Sequence, residues 1–153
     1  SRDFYDVVDA AIAAKNYQYA DTINTAYKAK FADQVYPYTF AVKNAQATDT
    51  TGKAAVGPIN DYIGFLSTDT AKNGQTMAYY YALQGGYYAN TAKNLDSAVY
   101  EFQQAVKYDP NQTQYQQYLT ILQKAQQRQK EPRSTGTTKS PAKKPSKLKS
   151  SNK

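Results

Sequence analysis

Three carboxylates repeat at helical spacing near the start of the chain, where Asp3, Asp6 and Asp9 follow one another at intervals of three residues. Neighbours at i and i+3 share one face of a helix, so Asp3/Asp6 or Asp6/Asp9 has the spacing of an acid/base pair or of two metal ligands. Acidic residues in the first turns of a helix also complement the positive end of the helix dipole. We favour this second, structural interpretation.

Two other segments resemble ligand-binding loops without meeting their spacing. Residues 49–53 (Asp-Thr-Thr-Gly-Lys) lack the upstream glycine and the preceding buried strand of a phosphate-binding loop. The spacing of Asp61, Asp69 and Asn73 does not fit a calcium loop. The sequence also contains no histidine or cysteine, which removes the usual nucleophile pairs and zinc ligands. We therefore predict no catalytic residue, no metal site and no cofactor, and expect a protein that is not an enzyme.

Tyrosine is abundant, with 16 residues in the chain, and five of them lie within 79–88. Tyr80 and Tyr87 are seven residues apart, as are Tyr81 and Tyr88, so they form two adjacent stripes on one helix. Both stripes could pack, one against the preceding helices and one against the helix that follows. Alternatively, one stripe faces a binding groove, since tyrosine combines a large contact area with a hydrogen-bonding tip.

Apolar residues recur at helical spacing through most of residues 1–130 and predict seven helices. The predicted helices form three hairpins and a final single helix: 4–30 with a break at 15–16, 37–47 with a partner opened by Pro58, 75–90 with 94–108, and 112–129. The partner of 37–47 begins at Pro58, or it begins near Gly52 and is kinked at Pro58. No apolar run reaches 18 residues, so we predict no transmembrane segment.

The helix predicted at 94–108 carries the clearest stripe, formed by Ala98, Phe102 and Ala105 at i, i+4 and i+7. Two alanines beside an aromatic residue allow another helix to approach closely. A single helix cannot bury such a stripe by itself, so it needs a partner on each side. The pattern therefore favours a stacked helical repeat.

Residues 80–111 resemble a tetratricopeptide repeat. They match the family's large, small and turn positions at Leu83, Tyr87, Ala98, Phe102, Ala105 and Asp109-Pro110-Asn111. Gln84 stands where the family usually has Gly or Ala, and two glycines follow it directly. The two earlier hairpins match more loosely, with Ala20 and Pro58 at the small position of their second helices. The resemblance implies an all-α fold: a right-handed α-solenoid of three antiparallel helical hairpins plus a C-terminal capping helix, over residues 1–130.

The same resemblance implies a concave groove lined by the first helix of each hairpin, and hence a scaffold that binds a protein or peptide. The candidate groove residues are Tyr79, Tyr80, Gln84, Tyr87, Asp9, Lys43 and Asn44. The family's clamp for a peptide carboxylate uses several Lys, Arg and Asn side chains, and that basic set is missing here. An uncharged or mixed polar and aromatic partner surface therefore fits better than a chaperone C-terminal tail. No small-molecule substrate is predicted.

Most of the positive charge lies at the end of the chain. Residues 131–153 hold 7 Lys or Arg and 1 acidic residue, so they carry +6 of the total charge of +7. Their Lys, Ser, Pro and Thr composition offers little to bury and predicts a disordered basic tail. The tail could contact nucleic acid or an acidic surface through Lys143, Lys144, Lys147 and Lys149, or it could be a solvated terminus without a specific partner.

Composition gives one weak indication of compartment. The absence of cysteine fits a reducing or an oxidising environment. A nearly neutral body rich in Tyr, Asn, Gln and Thr suits an exported bacterial protein, periplasmic or extracellular, better than a cytoplasmic one. The chain begins at Ser1 without a signal-type apolar segment, so we expect a processed or trimmed form that an upstream targeting segment could have preceded.

If the tail is the functional part, the protein binds nucleic acid through lysine–phosphate contacts, and duplex DNA serves as the probe. The binding constant, measured by fluorescence anisotropy, then falls as salt concentration rises, because each contact releases counterions from the DNA. Deletion of residues 131–153 abolishes the binding. Salt-insensitive binding, or binding retained by the shortened chain, contradicts this alternative function.

Overall fold

A computed structural model describes residues 1–131 of the chain, and this part is all-α. Its seven α-helices are α1 Arg2–Ala13, α2 Tyr17–Lys30, α3 Tyr36–Thr48, α4 Val56–Leu66, α5 Thr70–Asn90, α6 Leu95–Tyr108 and α7 Thr113–Lys130. A short 3₁₀ helix, Ser67–Asp69, joins α4 to α5. The tail lysines named above lie outside the described residues.

Polar side chains cap three of the helices at the places where the chain turns. Asn16 accepts a hydrogen bond from the N–H of Tyr19 at the start of α2, and Asn94 accepts one from Ser97 at the start of α6. Asp69 does the same for Lys72 at the start of α5. Each cap satisfies one of the backbone donors that a helix leaves free at its N-terminus.

Two helix starts differ from the sequence prediction. Helix α5 begins at Thr70 rather than at 75, because Asp69 caps it and the predicted loop continues as helix through Gly74. Helix α4 begins at Val56, between the two alternatives. Pro58 is the third residue of α4, where its missing N–H has no intrahelical partner to lose.

The helices pack in the order in which they occur in the sequence. Each helix contacts its neighbours along the chain, and α1 also contacts α3. Three clusters of buried side chains follow one another, centred on α1–α2, on α3–α5 and on α6–α7. This succession confirms the predicted all-α class and a solenoid-like arrangement. The right-handed winding and the division into two regions at 130/131 stay predictions.

Helices α5 and α6 approach each other closely at Gly85. A Cβ atom built at Gly85 would lie 2.6 Å from Cδ2 of Phe102, whose ring is buried. Ala98 and Ala105 on α6 are completely buried. The small residues of α6 therefore face α5 as the stripe predicts, and the residue on α5 that admits the Phe102 ring is Gly85.

Two alanine substitutions in α5 test this contact against a matched control. Gly85→Ala places a methyl group against the Phe102 ring, so we expect a loss of about 1–3 kcal/mol in the free energy of unfolding. Gly86→Ala meets nothing within 4 Å, so we expect a gain of up to about 1 kcal/mol from helix propensity. Urea denaturation measures both. Equal shifts of the two midpoints in the same direction would contradict the close packing.

Candidate functional site

A cleft of about 470 Å³ opens between the C-terminal half of α5 and the loop that joins α3 to α4. We call it the α5 cleft. Its floor consists of Ala55, Ile59 and Leu83, which belong to the α3–α5 core cluster or pack against it, together with the buried Gln84. Its rim is polar or aromatic and consists of Gln46, Asp49, Thr50, Thr51, Tyr87, Asn90 and Thr91.

The α3–α4 loop is held in shape by Asp49. Its carboxylate accepts hydrogen bonds from the N–H groups of Thr51 and Ala54, both at 2.8 Å. The Thr51 side chain, followed by these backbone donors, lowers the pKa of Asp49. Gly52 has a φ of +87°, a conformation that few residues other than glycine adopt. The N–H groups of Thr51, within the segment that resembled a phosphate loop, and of the adjoining Ala54 thus point toward the carboxylate of Asp49.

One stripe of α5 faces the preceding helices, and its C-terminal part, with Thr91 just beyond the helix, lines the cleft. The Tyr80 ring packs edge-on against Tyr62 of α4, with ring centroids 5.0 Å apart. Farther along, the Tyr87 ring lies beside Gly52, 3.5 Å from the position that a Cβ would take. Thr91 Oγ1 donates a hydrogen bond of 3.3 Å to the carbonyl oxygen of Thr51 and ties the two walls together.

Gln84 lies in the same stripe and is almost completely buried, with 2% of its surface exposed. Its Nε2 donates to the carbonyl oxygen of Val56 at 3.1 Å and to Oδ1 of Asn60 at 2.9 Å. These bonds satisfy an amide that would otherwise be costly to bury. Gln84 therefore contributes to the floor of the cleft and attaches α5 to α4.

The second stripe of α5 faces the helices that follow. Tyr81 stacks on Tyr108 of α6 with their ring centroids 5.7 Å apart, and Tyr88 packs against the α6–α7 cluster. Tyr80, Tyr81 and Tyr88 thus pack, whereas Tyr87 lines the α5 cleft, so the first stripe combines the two arrangements considered from the sequence. Tyr79 is the exposed member of the group at 54%, and it lies outside the α5 cleft.

The remaining candidates lie elsewhere on the array. Lys43 Nζ and Asp9 Oδ1 form an ion pair of 2.8 Å that joins α3 to α1. Asn44 Nδ2 donates a hydrogen bond of 3.1 Å to the carbonyl oxygen of Tyr17 in α2. Of the seven residues predicted for a groove, the structure places only Gln84 and Tyr87 in the α5 cleft.

The rim residues Gln46, Asn90 and Thr91 were not among the sequence candidates. They lie near the C-terminal ends of α3 and α5. Polar residues at a helix end are ordinary, so their types carried no signal. Only the packing of the α3–α4 loop against α5 brings them to one cleft.

Sequence reasoning also missed Glu101, whose carboxylate lies between α6 and α5. Its Cβ is 3.4 Å from the position that a Cβ of Gly85 would take, and its Oε2 is buried with no hydrogen-bond partner among the described residues. Burial raises the pKa of Glu101 to about 7. A signal for this residue was present, because Glu101 falls at i+3 from Ala98 and so lies on the α6 face that packs.

No family model, curated protein or solved structure matches this chain. The tetratricopeptide resemblance therefore stays a prediction that depends on the residues quoted for it. Among the helices of residues 1–131, none is both long enough and apolar enough to cross a membrane. The same residues contain no group of three or more acidic, His or Cys side chains placed to hold a metal ion.

Glu101 makes stability depend on pH between about 4.5 and about 7. Its folded-state pKa of about 7 is above the ordinary value of 4.5, so the folded state binds more protons than the unfolded chain between these values. The free energy of unfolding therefore falls as pH rises from about 4.5 to about 7 and then levels off. We expect a lower urea midpoint at about pH 7.5 than at about pH 5.5.

The control for this prediction is the other glutamate of the chain. Glu101→Gln removes the pH-dependent decrease, because the amide does not ionise, whereas Glu131→Gln keeps it, because Glu131 is exposed. The sequence has no histidine whose titration would overlap. A decrease of the same size in Glu101→Gln and the wild type would show that another group is responsible.

Proposed function

We propose that the protein is a non-enzymatic scaffold that binds an extended segment of a partner protein in the α5 cleft. The observation that carries the proposal is an apolar floor surrounded by a rim of amide, hydroxyl and phenol groups. Binding sites commonly combine an apolar surface with a few placed polar groups, and their volumes fall in the range of about 300–1,000 Å³.

The chemistry of the rim favours an uncharged segment. The amides of Gln46 and Asn90 and the hydroxyl of Thr50 can each donate and accept hydrogen bonds, as a peptide backbone does. Among residues 1–131, no Lys or Arg lines the cleft, and Asp49 is the one charged residue that does. Because the Asp49 carboxylate is already bonded to backbone N–H groups, it has less capacity to recruit a cationic ligand.

The cleft is also preorganised, which favours binding. The hydrogen bonds to Asp49 and the bond from Thr91 to Thr51 hold the loop before any partner arrives. The Tyr87 ring is fixed beside Gly52. Groups that are already ordered lose little conformational entropy on binding, so more of the contact energy remains as affinity.

Selection of peptides from a phage-displayed random library on the full chain tests the proposal. We expect enriched peptides that bind the wild type and bind the double variant Gln46→Ala/Asn90→Ala at least about tenfold more weakly, since each lost hydrogen bond costs about 1 kcal/mol. Both side chains are exposed, so the fold should tolerate their truncation. Isothermal titration calorimetry measures the affinities.

The matched control is Gln103→Ala on α6, which removes an exposed glutamine that does not line the cleft. Its affinity for the selected peptides should equal that of the wild type. If no peptide is enriched, or if the enriched peptides bind the double variant as well as the control, the α5 cleft is not a peptide site.

A further inference from the structure

The two ends of the helical array each present a face that no other element of residues 1–131 covers. Helix α1 packs against α2 and α3, and α7 packs mainly against α6. On the outer side of α7, Ile121 is 61% exposed, and on the outer side of α1, Val7 is 40% exposed. Both are branched apolar residues whose burial would be favourable.

The outer face of α7 is basic toward its C-terminal end. Gln117, Ile121, Lys124 and Arg128 are exposed and follow one another at i, i+4, i+7 and i+11, so they share one face. Residues 113–130 contain three basic residues and no acidic one, a net charge of +3. Ile121, the apolar residue of this face, therefore has positively charged side chains on its C-terminal side.

The outer face of α1 has the same spacing and the opposite charge. Asp3, Val7, Ala10 and Ala14 are exposed and also follow one another at i, i+4, i+7 and i+11. Of the three Asp of residues 2–13, Asp6 lies 3.9 Å from Arg2 and Asp9 pairs with Lys43 of α3, so the negative charge of this face is that of Asp3. The alanines are small enough to let a second helix approach closely, as Ala98 and Ala105 do within the array.

We propose that α1 of a second copy of this chain docks against α7, antiparallel to it, so that copies associate head to tail. An antiparallel alignment places Arg128 opposite Asp3, Lys124 opposite Val7, Ile121 opposite Ala10 and Gln117 opposite Ala14. The basic end of α7 then lies along the acidic end of α1, and the exposed Ile121 is covered by small residues. This surface is separate from the α5 cleft, so the proposal does not depend on peptide binding.

Charge selects this pairing over the symmetric ones. Two copies of the α7 face would bring Lys124 and Arg128 against the same two cations, and two copies of the α1 face would bring Asp3 against Asp3. A head-to-tail contact leaves one α1 and one α7 face free at the ends of each assembly, so association continues unless a ring closes. One helix-on-helix contact is a small interface, and we expect reversible association that depends on concentration.

Sedimentation velocity of the full chain from about 10 μM to about 1 mM tests the proposal. The weight-average mass should rise above the monomer value of 17.1 kDa with concentration, and Ile121→Lys should hold it at that value. Tyr100→Lys changes a side chain of similar exposure on α6 and should associate like the wild type. A wild type that stays monomeric at every concentration overturns the proposal.

A charge exchange tests the alignment itself. Arg128→Glu should weaken association by about fivefold or more, because it places like charges together, and adding Asp3→Arg should restore it. Circular dichroism confirms that each variant folds. Association through the basic tail would persist in Ile121→Lys. Association of that variant therefore also overturns the proposal. A double variant Arg128→Glu/Asp3→Arg that associates as weakly as Arg128→Glu alone overturns it as well.

Discussion

The rest of the structure depends on the close approach of α5 and α6 at Gly85. Because Gly85 has no side chain, the Phe102 ring occupies the space where a Cβ would be. The two helices then bury Ala98 and Ala105 completely and place Tyr81 against Tyr108. This contact sets which side of α5 faces α6, and therefore which side is left for the preceding helices.

The side of α5 that remains builds the α5 cleft. Tyr80 and Gln84 attach it to α4, and Tyr87 and Thr91 attach it to the α3–α4 loop. Most of the aromatic side chains of α5 pack against other helices in this way. The groups left for a partner are the amides and hydroxyls at the rim, together with one face of Tyr87. The cleft is thus a consequence of how α5 is held on both sides.

The same packing buries an ionisable group, and burial costs free energy when that group is charged. Glu101 lies beside Gly85 and Phe102, where one of its oxygens has no hydrogen-bond partner. A carboxylate in such a place is favoured in its neutral form, since burial removes the water that stabilises the charge. The close α5–α6 contact that organises the cleft therefore also introduces a dependence on proton concentration.

The sequence by itself determined the helices and their order. Apolar residues at helical spacing, caps such as Asn94 and the Ala98–Phe102–Ala105 stripe are local properties, so the all-α class, seven helices and the packing face of α6 could be predicted. The start of α5 was misplaced because the capping carboxylate of Asp69 was not recognised. Tertiary structure alone decided that Gln84 is buried, that Glu101 Oε2 has no hydrogen-bond partner among residues 1–131, and that Gln46 and Asn90 share a cleft. These facts depend on distances between residues far apart in the chain, and helical periodicity shows which face a residue is on without showing what that face meets.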